Sequence, residues 1–427
     1  MTTTVFENRE SVVRGYCRNW PVVFSQARGA EQFTEDGERY LDFFSGAGAL
    51  NYGHNHPKLK QALLDYLSSD AVIHSLDMYT EAKRDFLDTF TELILEPRGM
   101  DHKVQFPGPT GTNTVEAALK IARKVTGRTE VMSFTNAFHG MTLGSLAVTG
   151  NSMKRSGAGT PLYHATSAPY DGFLDGRTPD FLWLERVWAD SGSGQELPAA
   201  VIVETVQGEG GLNAGRMEWL RNLADLCRRY DVKLIVDDVQ AGCGRTGSFF
   251  SFEPAEIQPD VICLSKSLSG LGLPMAVTLL RPEMDQWEPG EHNGTFRGFN
   301  PGFVTATAAL KEFWSDDSFA TTVRERGEQL KAGLERIADL VPDASYRGRG
   351  LLSGVHFPDI TIAEKVAAEA FERGLLVETS GPESEVIKTM PPLTISSEQL
   401  AEGLDILFEA ATTVIEPSDA DAASKAA

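Results

Sequence analysis

The chain has 427 residues, of which 41% are hydrophobic and 23% are charged, the balance of an ordinary soluble globular protein. Its formal net charge is −21, from 39 basic and 60 acidic residues, so it lacks the basic excess that non-specific binding to nucleic acid or anionic membranes requires. No apolar run approaches the ~20 residues that cross a bilayer, which excludes an integral helical membrane protein.

The ends of the chain and its cysteines indicate a cytoplasmic protein. Residues Met1–Asn8 are polar and contain no apolar core of a signal peptide, so we expect no secretory signal. The four cysteines are far apart and form no CxxC pair, which predicts reduced thiols. The histidines form no HExxH motif, and no metal site is predicted. A salt-adapted source would suit the acidic composition but is only a hypothesis.

In chain order, the sequence predicts an α/β fold with a mostly parallel central sheet flanked by helices, plus a small α+β domain built from both termini. Residues 1–50 hold short strand candidates and form the N-terminal part of the small domain. Residues 51–305 form the large domain. Residues 306–415 begin with long helices, end in a mixed region with a final helix at 397–411, and complete the small domain. Residues 416–427 are small and polar, and we expect a flexible tail.

The large domain is predicted from alternating strands and helices. Short, near-continuous apolar runs are typical of strands buried on both faces. Helical spacing of apolar residues separates some of them, and strand–helix alternation favours a parallel sheet. The predicted strands are Glu130–Phe134, Ala200–Thr205, Leu234–Asp238, Val261–Ser265 and Ala276–Leu280, and the predicted helices are Thr114–Val125 and Met217–Tyr230.

Two charged residues stand at the ends of predicted strands. Asp237 ends one strand, at the edge where open α/β sheets place ligands, and Lys266 follows the apolar run 261–265. Desolvation would lower the pKa of such a lysine and favour imine formation. Taken singly, each residue is more often structural, as a strand cap or an ion-pair partner. Together, however, a lysine and an acid are what pyridoxal 5'-phosphate requires for its aldehyde and its pyridine nitrogen.

That cofactor also needs an anion cradle and a flat surface against its ring. The segment 108–113, GPTGTN, precedes a predicted helix, so its backbone N–H groups and the Thr112 hydroxyl suit a phosphate. An ordinary helix cap would give the same pattern. Phe138 follows a predicted strand and is the stacking candidate, although a core phenylalanine is the equal alternative.

With these residues in place, the chain resembles the class III (ω-) aminotransferases, which are pyridoxal-phosphate enzymes of fold type I. The resemblance rests on an ordered series of blocks that covers most of the chain. The blocks are SGAGALNYGHNHP (45–57), GPTGTNTVEAALKIAR (108–123), FHGMTLGSLAVTG (138–150), ETVQGEGG (204–211), VDDVQAGCGRTG (236–247), PDVICLSKSLSG (259–270), GTFRGFNP (294–301), RGRGLLSG (347–354) and PPLTIS (391–396).

The resemblance implies a role for each matching residue. Lys266 would bind the cofactor covalently and shuttle a proton, and Asp237 would hold the pyridine nitrogen. Gly111 and Thr112 would hold the phosphate, Phe138 would stack on the ring with His139 beside it, and Gln240 would lie near the ring hydroxyl. Thr295 would reach the phosphate of the neighbouring subunit, which implies a homodimer or higher homo-oligomer with active sites at the interface.

Within the family, the amino-acid sequences of the blocks are most similar to those of the branch that makes L-2,4-diaminobutyrate for ectoine synthesis. The implied substrates are L-glutamate and L-aspartate 4-semialdehyde, and the second product is 2-oxoglutarate. Ornithine, acetylornithine or 4-aminobutyrate aminotransferases remain alternatives. So does a mutase of the glutamate-1-semialdehyde type, whereas a non-enzymatic binding protein is disfavoured by the retained lysine, acid and phosphate loop.

One position departs from the family pattern. Many members carry an arginine three residues before the PP pair, where it clamps the α-carboxylate of glutamate, and Lys388 stands there in this chain. Lysine is a point charge and cannot form the planar fork of arginine. Because Glu209 matches the glutamate that pairs with that arginine, we predict a Glu209–Lys388 pair that opens for glutamate. The equal alternative is a solvent-facing Lys388, with another basic residue as the clamp.

Overall fold

The structure is a computed structural model and describes residues 4–174 and 180–415; the tail predicted at 416–427 lies outside the described residues. The strands are β1 (Phe24–Arg28), β2 (Glu31–Thr34), β3 (Arg39–Asp42), β4 (Lys103–Gln105), β5 (Val131–Phe134), β6 (Ala165–Ala168), β7 (Ala200–Val203), β8 (Val206–Gln207), β9 (Asn213–Ala214), β10 (Lys233–Asp237), β11 (Val261–Leu264), β12 (Val277–Leu280), β13 (Ser345–Arg349), β14 (Leu352–His356), β15 (Leu375–Leu376), β16 (Glu378–Ser380) and β17 (Val386–Thr389).

The helices flank these strands. The α-helices are α1 (Thr4–Arg9), α2 (Tyr16–Asn19), α3 (Ser45–Gly48), α4 (Pro57–Leu67), α5 (Glu81–Phe90), α6 (Gly111–Thr126), α7 (Leu143–Ala147), α8 (Ser152–Ser156), α9 (Leu182–Ala189), α10 (Met217–Arg229), α11 (Asn300–Phe313), α12 (Ser318–Ala338), α13 (Ile360–Glu372) and α14 (Ser397–Ile415). Within residues 4–174 and 180–415, no helix has the length and apolar character needed to cross a membrane.

The central sheet has seven strands in the order β4-β12-β11-β10-β7-β5-β6. The strands from β11 to β6 run parallel, whereas β12 runs antiparallel to both β11 and β4. Both faces of this sheet are covered. Along β11, Ile262 and Leu264 pack into one apolar cluster and Val261 and Cys263 into another, which explains the uninterrupted apolar run. The predicted mostly parallel sheet flanked by helices is therefore confirmed.

The two ends of the chain pack together. β15, from the C-terminal part, pairs in parallel with β3, from the N-terminal part, in the sheet β1-β2-β3-β15. A second four-stranded sheet has the order β13-β14-β17-β16. Leu41 and Phe43 share one apolar cluster with residues of α12, α13 and α14. We propose that these elements form the small domain.

The predicted domain boundary at 305/306 falls inside α11. Phe303, Ala306 and Leu310 of this helix all pack into the large apolar cluster beside the central sheet, and so does Trp314. A continuous helix that buries one face cannot be divided in the middle. We therefore propose that the large domain extends through α11 and that the small domain resumes near α12.

Candidate active site

The predicted residues converge at the edge of the central sheet where the parallel strands end. One cavity of about 190 Å³ is lined by eight of the ten predicted site residues, and Thr295 and Lys388 do not line it. The eight are Gly111, Thr112, Phe138, His139, Glu209, Asp237, Gln240 and Lys266. A cavity of about 550 Å³ lies elsewhere, around Arg98, His102 and Arg281, but no lysine lines it.

Asp237 is the last residue of β10 and is buried at the base of the cavity. Its Oδ2 lies 2.7 Å from His139 Nδ1, and its Oδ1 accepts the backbone N–H of Val239 at 3.1 Å. Burial alone would lower the pKa of His139, but the hydrogen bond and charge of Asp237 raise it. His139 therefore orients the Asp237 carboxyl through a buried hydrogen bond, and a carboxylate placed in this way can hold a proton on a ring nitrogen.

A second buried carboxylate stands behind this pair. Glu204 lines the cavity, and its Oε2 accepts the backbone N–H of Phe138 at 2.9 Å. Burial is the main reason that the pKa of Glu204 is raised to about 7; the charge of Asp237 raises it further, while His139 lowers it. Glu204 was not singled out from the sequence, although it lies in the quoted block 204–211. The sequence feature that could have revealed it is an acidic residue directly after the buried strand β7.

Lys266 follows β11 and lines the cavity. Its φ of 50° lies in the left-handed region, which is unusual for a residue with a side chain and marks a locally strained backbone. Among the described residues, no carboxylate lies within ion-pair distance of its Nζ. Burial lowers the pKa of Lys266, although Glu209 opposes this effect. The amine is thus closer to the neutral, nucleophilic form than an exposed lysine would be.

The phosphate cradle is the first turn of α6. Thr110 caps this helix, and a reciprocal capping box joins it to Asn113. The first N–H groups of a helix have no partner within the helix, so those of Gly111 and Thr112 remain available to an anion. Thr112 Oγ1 lies 2.6 Å from Thr142 Oγ1 and 2.9 Å from Ser145 Oγ, which fixes its hydroxyl at the cavity wall.

The remaining walls are apolar or carry unsatisfied polar atoms. Phe138 and Val239 both line the cavity, and a side chain at Gly111 would come within 2.9 Å of Val239 Cγ1. Gln240 donates from Nε2 to the carbonyl of Ala47 at 3.0 Å, while its buried Oε1 has no hydrogen-bond partner among the described residues. An oxygen of this kind can accept the proton of a ring hydroxyl.

These groups fit pyridoxal phosphate. Lys266 supplies a buried amine without an ion partner, Asp237 supplies a supported carboxylate, and α6 supplies an anion-binding helix terminus. Gln240 adds an orphan acceptor, and Phe138 adds a flat apolar surface. Aldehyde, ring nitrogen, phosphate, ring hydroxyl and ring face each have a matching group in one cavity.

Lys388 does not face solvent. Its side chain is 0% exposed, and its Nζ lies 2.7 Å from Glu209 Oε1 and 2.9 Å from Glu378 Oε1. The pair predicted between Glu209 and Lys388 is therefore present, and the alternative of an exposed lysine is wrong. The second carboxylate, Glu378, gave no signal in the sequence. Glu378 and Lys388 face each other directly across the antiparallel pair β16–β17, a register that no local pattern reveals.

The three charged side chains shift one another's pKa values. Against the effect of burial, Lys388 and then Lys266 lower the pKa of Glu209 to about 2. Burial raises the pKa of Glu378, although Lys388 opposes this. Both carboxylates raise the pKa of Lys388, so it stays charged despite its burial. Lys388 is thus a permanent buried cation that two carboxylates share.

Tyr16 brings the N-terminal segment to this charged group. Its ring packs against Phe44, with centroids 4.8 Å apart. Burial, together with the charges of Glu378 and Glu209, raises the pKa of Tyr16. No sequence pattern marks Tyr16, since its neighbourhood depends on the packing of distant segments.

Thr295 lies away from the cavity of its own chain. It is exposed and begins a short 3₁₀ turn, Thr295–Arg297. This turn and the residues that follow it pack against residues 72–79. Asn300 donates its backbone N–H to the carbonyl of Ile73 at 3.0 Å, and Arg297 pairs with Asp77. The surrounding surface is apolar and exposed, with Ile73, Leu76, Met78, Tyr79 and Phe296. The predicted role across a subunit interface stays a prediction.

Comparisons with known proteins agree on one family. The family model described as aminotransferase class-III matches residues 14–411. A diaminobutyrate–2-oxoglutarate transaminase from Nocardia farcinica is 61% identical over 96% of this chain and 94% of its own length. One from Streptomyces coelicolor is also 61% identical, over 95% and 97%, and one from Virgibacillus pantothenticus is 56% identical, over 94% and 97%.

Solved structures of aminotransferases have the same fold as this chain. An ornithine aminotransferase from Toxoplasma gondii superposes with a TM-score of 0.81 at 27% identity, covering 96% of this chain and 93% of that chain. An acetylornithine aminotransferase from Elizabethkingia anophelis gives a TM-score of 0.76 at 24% identity, covering 96% and 97%, which bears on the fold alone.

Proposed function

The chain belongs to the class III aminotransferases, and from this membership we propose that it transfers the amino group of L-glutamate to L-aspartate 4-semialdehyde. The products are L-2,4-diaminobutyrate and 2-oxoglutarate, and pyridoxal 5'-phosphate is the cofactor. The observation that carries the chemistry is the convergence of Lys266, Asp237 and Thr112 on one cavity. The choice of substrates is supported by the 61% identity to transaminases named for this reaction.

The cofactor supplies an aldehyde that exchanges amino groups and a ring that accepts electron density from the reacting carbon. The residues of the chain supply the proton transfers and the positioning. Lys266 Nζ, whose pKa burial lowers, is the group that can accept a proton from the substrate carbon. Asp237, supported by His139, holds a proton on the pyridine nitrogen.

The Glu209–Lys388–Glu378 group distinguishes the two substrates at the reacting carbon. Glutamate carries a carboxylate on that carbon, whereas the ω-amine of diaminobutyrate carries only hydrogen there. We propose that Glu209 moves aside for glutamate and that Lys388 then binds the incoming carboxylate. Glu378 remains opposite Lys388 and keeps it in place, since it is fixed by the register of β16 and β17.

We also propose a cytoplasmic homodimer, or a higher homo-oligomer built from it, in the service of ectoine synthesis. The exposed apolar surface around Thr295 supports a subunit interface there. Single exposed apolar residues are normal on a protein surface, whereas a group of neighbouring ones is typical of an association site. The four free cysteines suit a reducing compartment. Light scattering of the purified enzyme tests the assembly, and a monomeric, fully active enzyme would contradict it.

Product identification tests the reaction. Purified enzyme, loaded with cofactor, is incubated with L-glutamate and L-aspartate 4-semialdehyde, and mass spectrometry identifies the products. We expect diaminobutyrate in amounts equal to 2-oxoglutarate, and none with Lys266→Ala. Ornithine, acetylornithine and 4-aminobutyrate are run in parallel as amino donors. A higher kcat/KM with one of these, and little product from the semialdehyde, would replace the proposed substrates.

A further inference from the structure

Four consecutive residues that follow β3 wind in the left-handed sense. Residues 45–48, which form the short element α3, have φ values of 49°, 59°, 56° and 88°. Gly46 and Gly48 adopt such values freely. Ser45 and Ala47, in contrast, each carry a Cβ atom that comes too close to the following carbonyl oxygen in this conformation. The turn is therefore strained, and it persists because its surroundings hold it in place.

The carboxylate of Asp42 anchors this turn. Asp42 ends β3 and is fully buried. Its Oδ1 accepts the backbone N–H groups of Phe44 at 2.8 Å and Ser45 at 2.7 Å. Its Oδ2 accepts the side-chain amide of Gln32 at 3.1 Å and lies 2.7 Å from His54 Nε2. These four contacts fix the carboxylate, and the carboxylate fixes the place where the left-handed turn begins.

The far end of the turn reaches two residues that line the cavity, Gln240 and Lys266. The carbonyl of Ala47 accepts Gln240 Nε2 at 3.0 Å. The next carbonyl, that of Gly48, accepts the hydroxyl of Ser267 at 2.6 Å, and Ser267 directly follows Lys266. A Cβ atom at Gly48 would lie 3.5 Å from Gln240 Cγ and 3.9 Å from Lys266 Cδ. The backbone of the turn therefore packs directly against both cavity residues.

The carbonyl of Ala47 decides which end of the Gln240 amide remains free. A carbonyl oxygen can only accept a hydrogen bond, so the amide nitrogen must lie beside it and Oε1 must point elsewhere. Glu209 Oε1, at 3.4 Å, is a second and longer contact of the same nitrogen. This contact is lost when Glu209 moves aside for glutamate, as proposed above. The Ala47 carbonyl alone then keeps the amide from turning over and presenting its nitrogen, which cannot accept a proton.

We propose that Asp42 is a positioning residue for the cofactor. It holds the left-handed turn 45–48, whose Ala47 carbonyl orients the Gln240 amide so that Oε1 accepts the hydroxyl of the pyridoxal ring. Asp42 is not among the described residues that line the cavity, so it acts through the backbone of the turn. The inference rests on the proposed cofactor site and not on the choice of substrates.

Two cofactors test the proposal, because 3-deoxypyridoxal 5'-phosphate lacks the ring hydroxyl but keeps the aldehyde and the phosphate. The full-length enzyme is freed of cofactor and titrated with each, and the ratio of the two dissociation constants measures the preference for the hydroxyl. In Asp42→Ala, this preference should fall by roughly tenfold relative to wild type, because one hydrogen bond to the ring is lost. Asp42→Asn should retain most of it, since its Oδ1 can still accept the two backbone N–H groups.

Asp36→Ala is the matched control, at an exposed aspartate between β2 and β3, and should keep the wild-type preference. Gln240→Leu removes the acceptor itself and should lower the preference as much as Asp42→Ala does. Adding Asp42→Ala to Gln240→Leu should then lower it no further, because both act on one contact. An additional loss in the double variant would overturn the proposal.

Two other results would also overturn it. One is a wild-type preference in folded Asp42→Ala, and the other is an equal weakening of both cofactors, which would mean that Asp42 serves stability alone. If Asp42→Ala does not fold, His54→Leu replaces it, since it removes one of the contacts that fix the carboxylate. It should lower the preference by about threefold, and an unchanged value would reject the proposal. No substrate is present in these titrations, so a different amino acceptor for the enzyme would leave their outcome intact.

Discussion

The candidate site has two parts that are built in different ways. The proposed cofactor side consists of strand ends and a helix terminus: Asp237 ends β10, Lys266 follows β11, and Thr112 lies in the first turn of α6. The proposed substrate side consists of charges brought together from separate segments: Glu209 lines the cavity, and Lys388 behind it is shared by Glu209 and Glu378. The first side positions groups through backbone geometry, and the second positions them through mutual attraction in a buried place.

This difference has a physical consequence. Strand ends and helix termini hold a side chain in place even when its partner is removed, so substitutions there should affect chemistry more than folding. A buried ion group depends on every member, because an uncompensated charge in the interior is costly. Substitutions on the substrate side should therefore affect folding as well as substrate choice. Four predictions test this contrast, beginning with the largest expected effect.

Lys266→Ala should abolish transamination while leaving the fold intact. Loss of the proton-transferring amine alone accounts for roughly a 10²–10⁴-fold decrease in kcat, and loss of the covalent link adds to it. Borohydride reduction followed by peptide mass analysis should find the cofactor on Lys266 in wild type. Lys58→Ala, at an exposed position, is the control and should retain full activity. Cofactor found on another lysine would contradict the assignment.

Lys388→Met should destabilise the protein by about 3–5 kcal/mol, because it leaves two buried carboxylates without a counter-charge. Urea unfolding of wild type and variant measures this difference. The double variant Lys388→Met/Glu378→Gln should recover part of the loss, since one of the two uncompensated charges is then absent. An unchanged urea midpoint in Lys388→Met would show that the substrate side does not depend on the ion group, and the contrast would fail.

Glu204→Gln should change the pH dependence of stability. The pKa of Glu204 is raised in the folded protein to about 7, mainly by burial. Because the pKa of Glu204 is higher in the folded protein than its ordinary value of 4.5 in the unfolded chain, its protonated form stabilises the fold. This stabilisation is complete below pH 4.5 and is lost as the pH rises through about 7. Between pH 5 and 8, the variant should therefore gain on the order of 1–3 kcal/mol relative to wild type.

Urea unfolding of the cofactor-free protein at both pH values tests this prediction. Glu92→Gln, at an exposed carboxylate, provides the control and should follow wild type at both pH values. A constant difference between Glu204→Gln and wild type across this range would mean that Glu204 does not titrate there.

Phe138→Leu should have the smallest effect. Loss of the aromatic face weakens cofactor binding by roughly 0.5–1.5 kcal/mol, while the covalent link and the phosphate cradle remain. Titration of cofactor-free enzyme with pyridoxal phosphate measures the change. Phe173→Leu, at an exposed phenylalanine outside the cavity, should leave the affinity unchanged. If Phe138→Leu binds pyridoxal phosphate as tightly as wild type, a different side chain of the cavity stacks on the ring.

Much of the cofactor side could be predicted from the sequence alone. The buried strands appear as apolar runs, and helices α6 and α10 appear as apolar residues at helical spacing, because these signals are local. Asp237 and Lys266 are recognisable since each stands at the end of such a run. Thr112 is recognisable since a glycine-rich segment opens a helix there. The predicted strands and helices are confirmed close to their predicted ends.

Only the tertiary structure decided the substrate side. The position of Glu378 opposite Lys388 depends on the register of β16 and β17, which the alternation of residues does not specify. The charge of Glu378 raises the pKa of Tyr16, although the two residues lie far apart in the sequence. Local sequence patterns specify elements and their ends, whereas contacts between distant segments depend on how those elements pack.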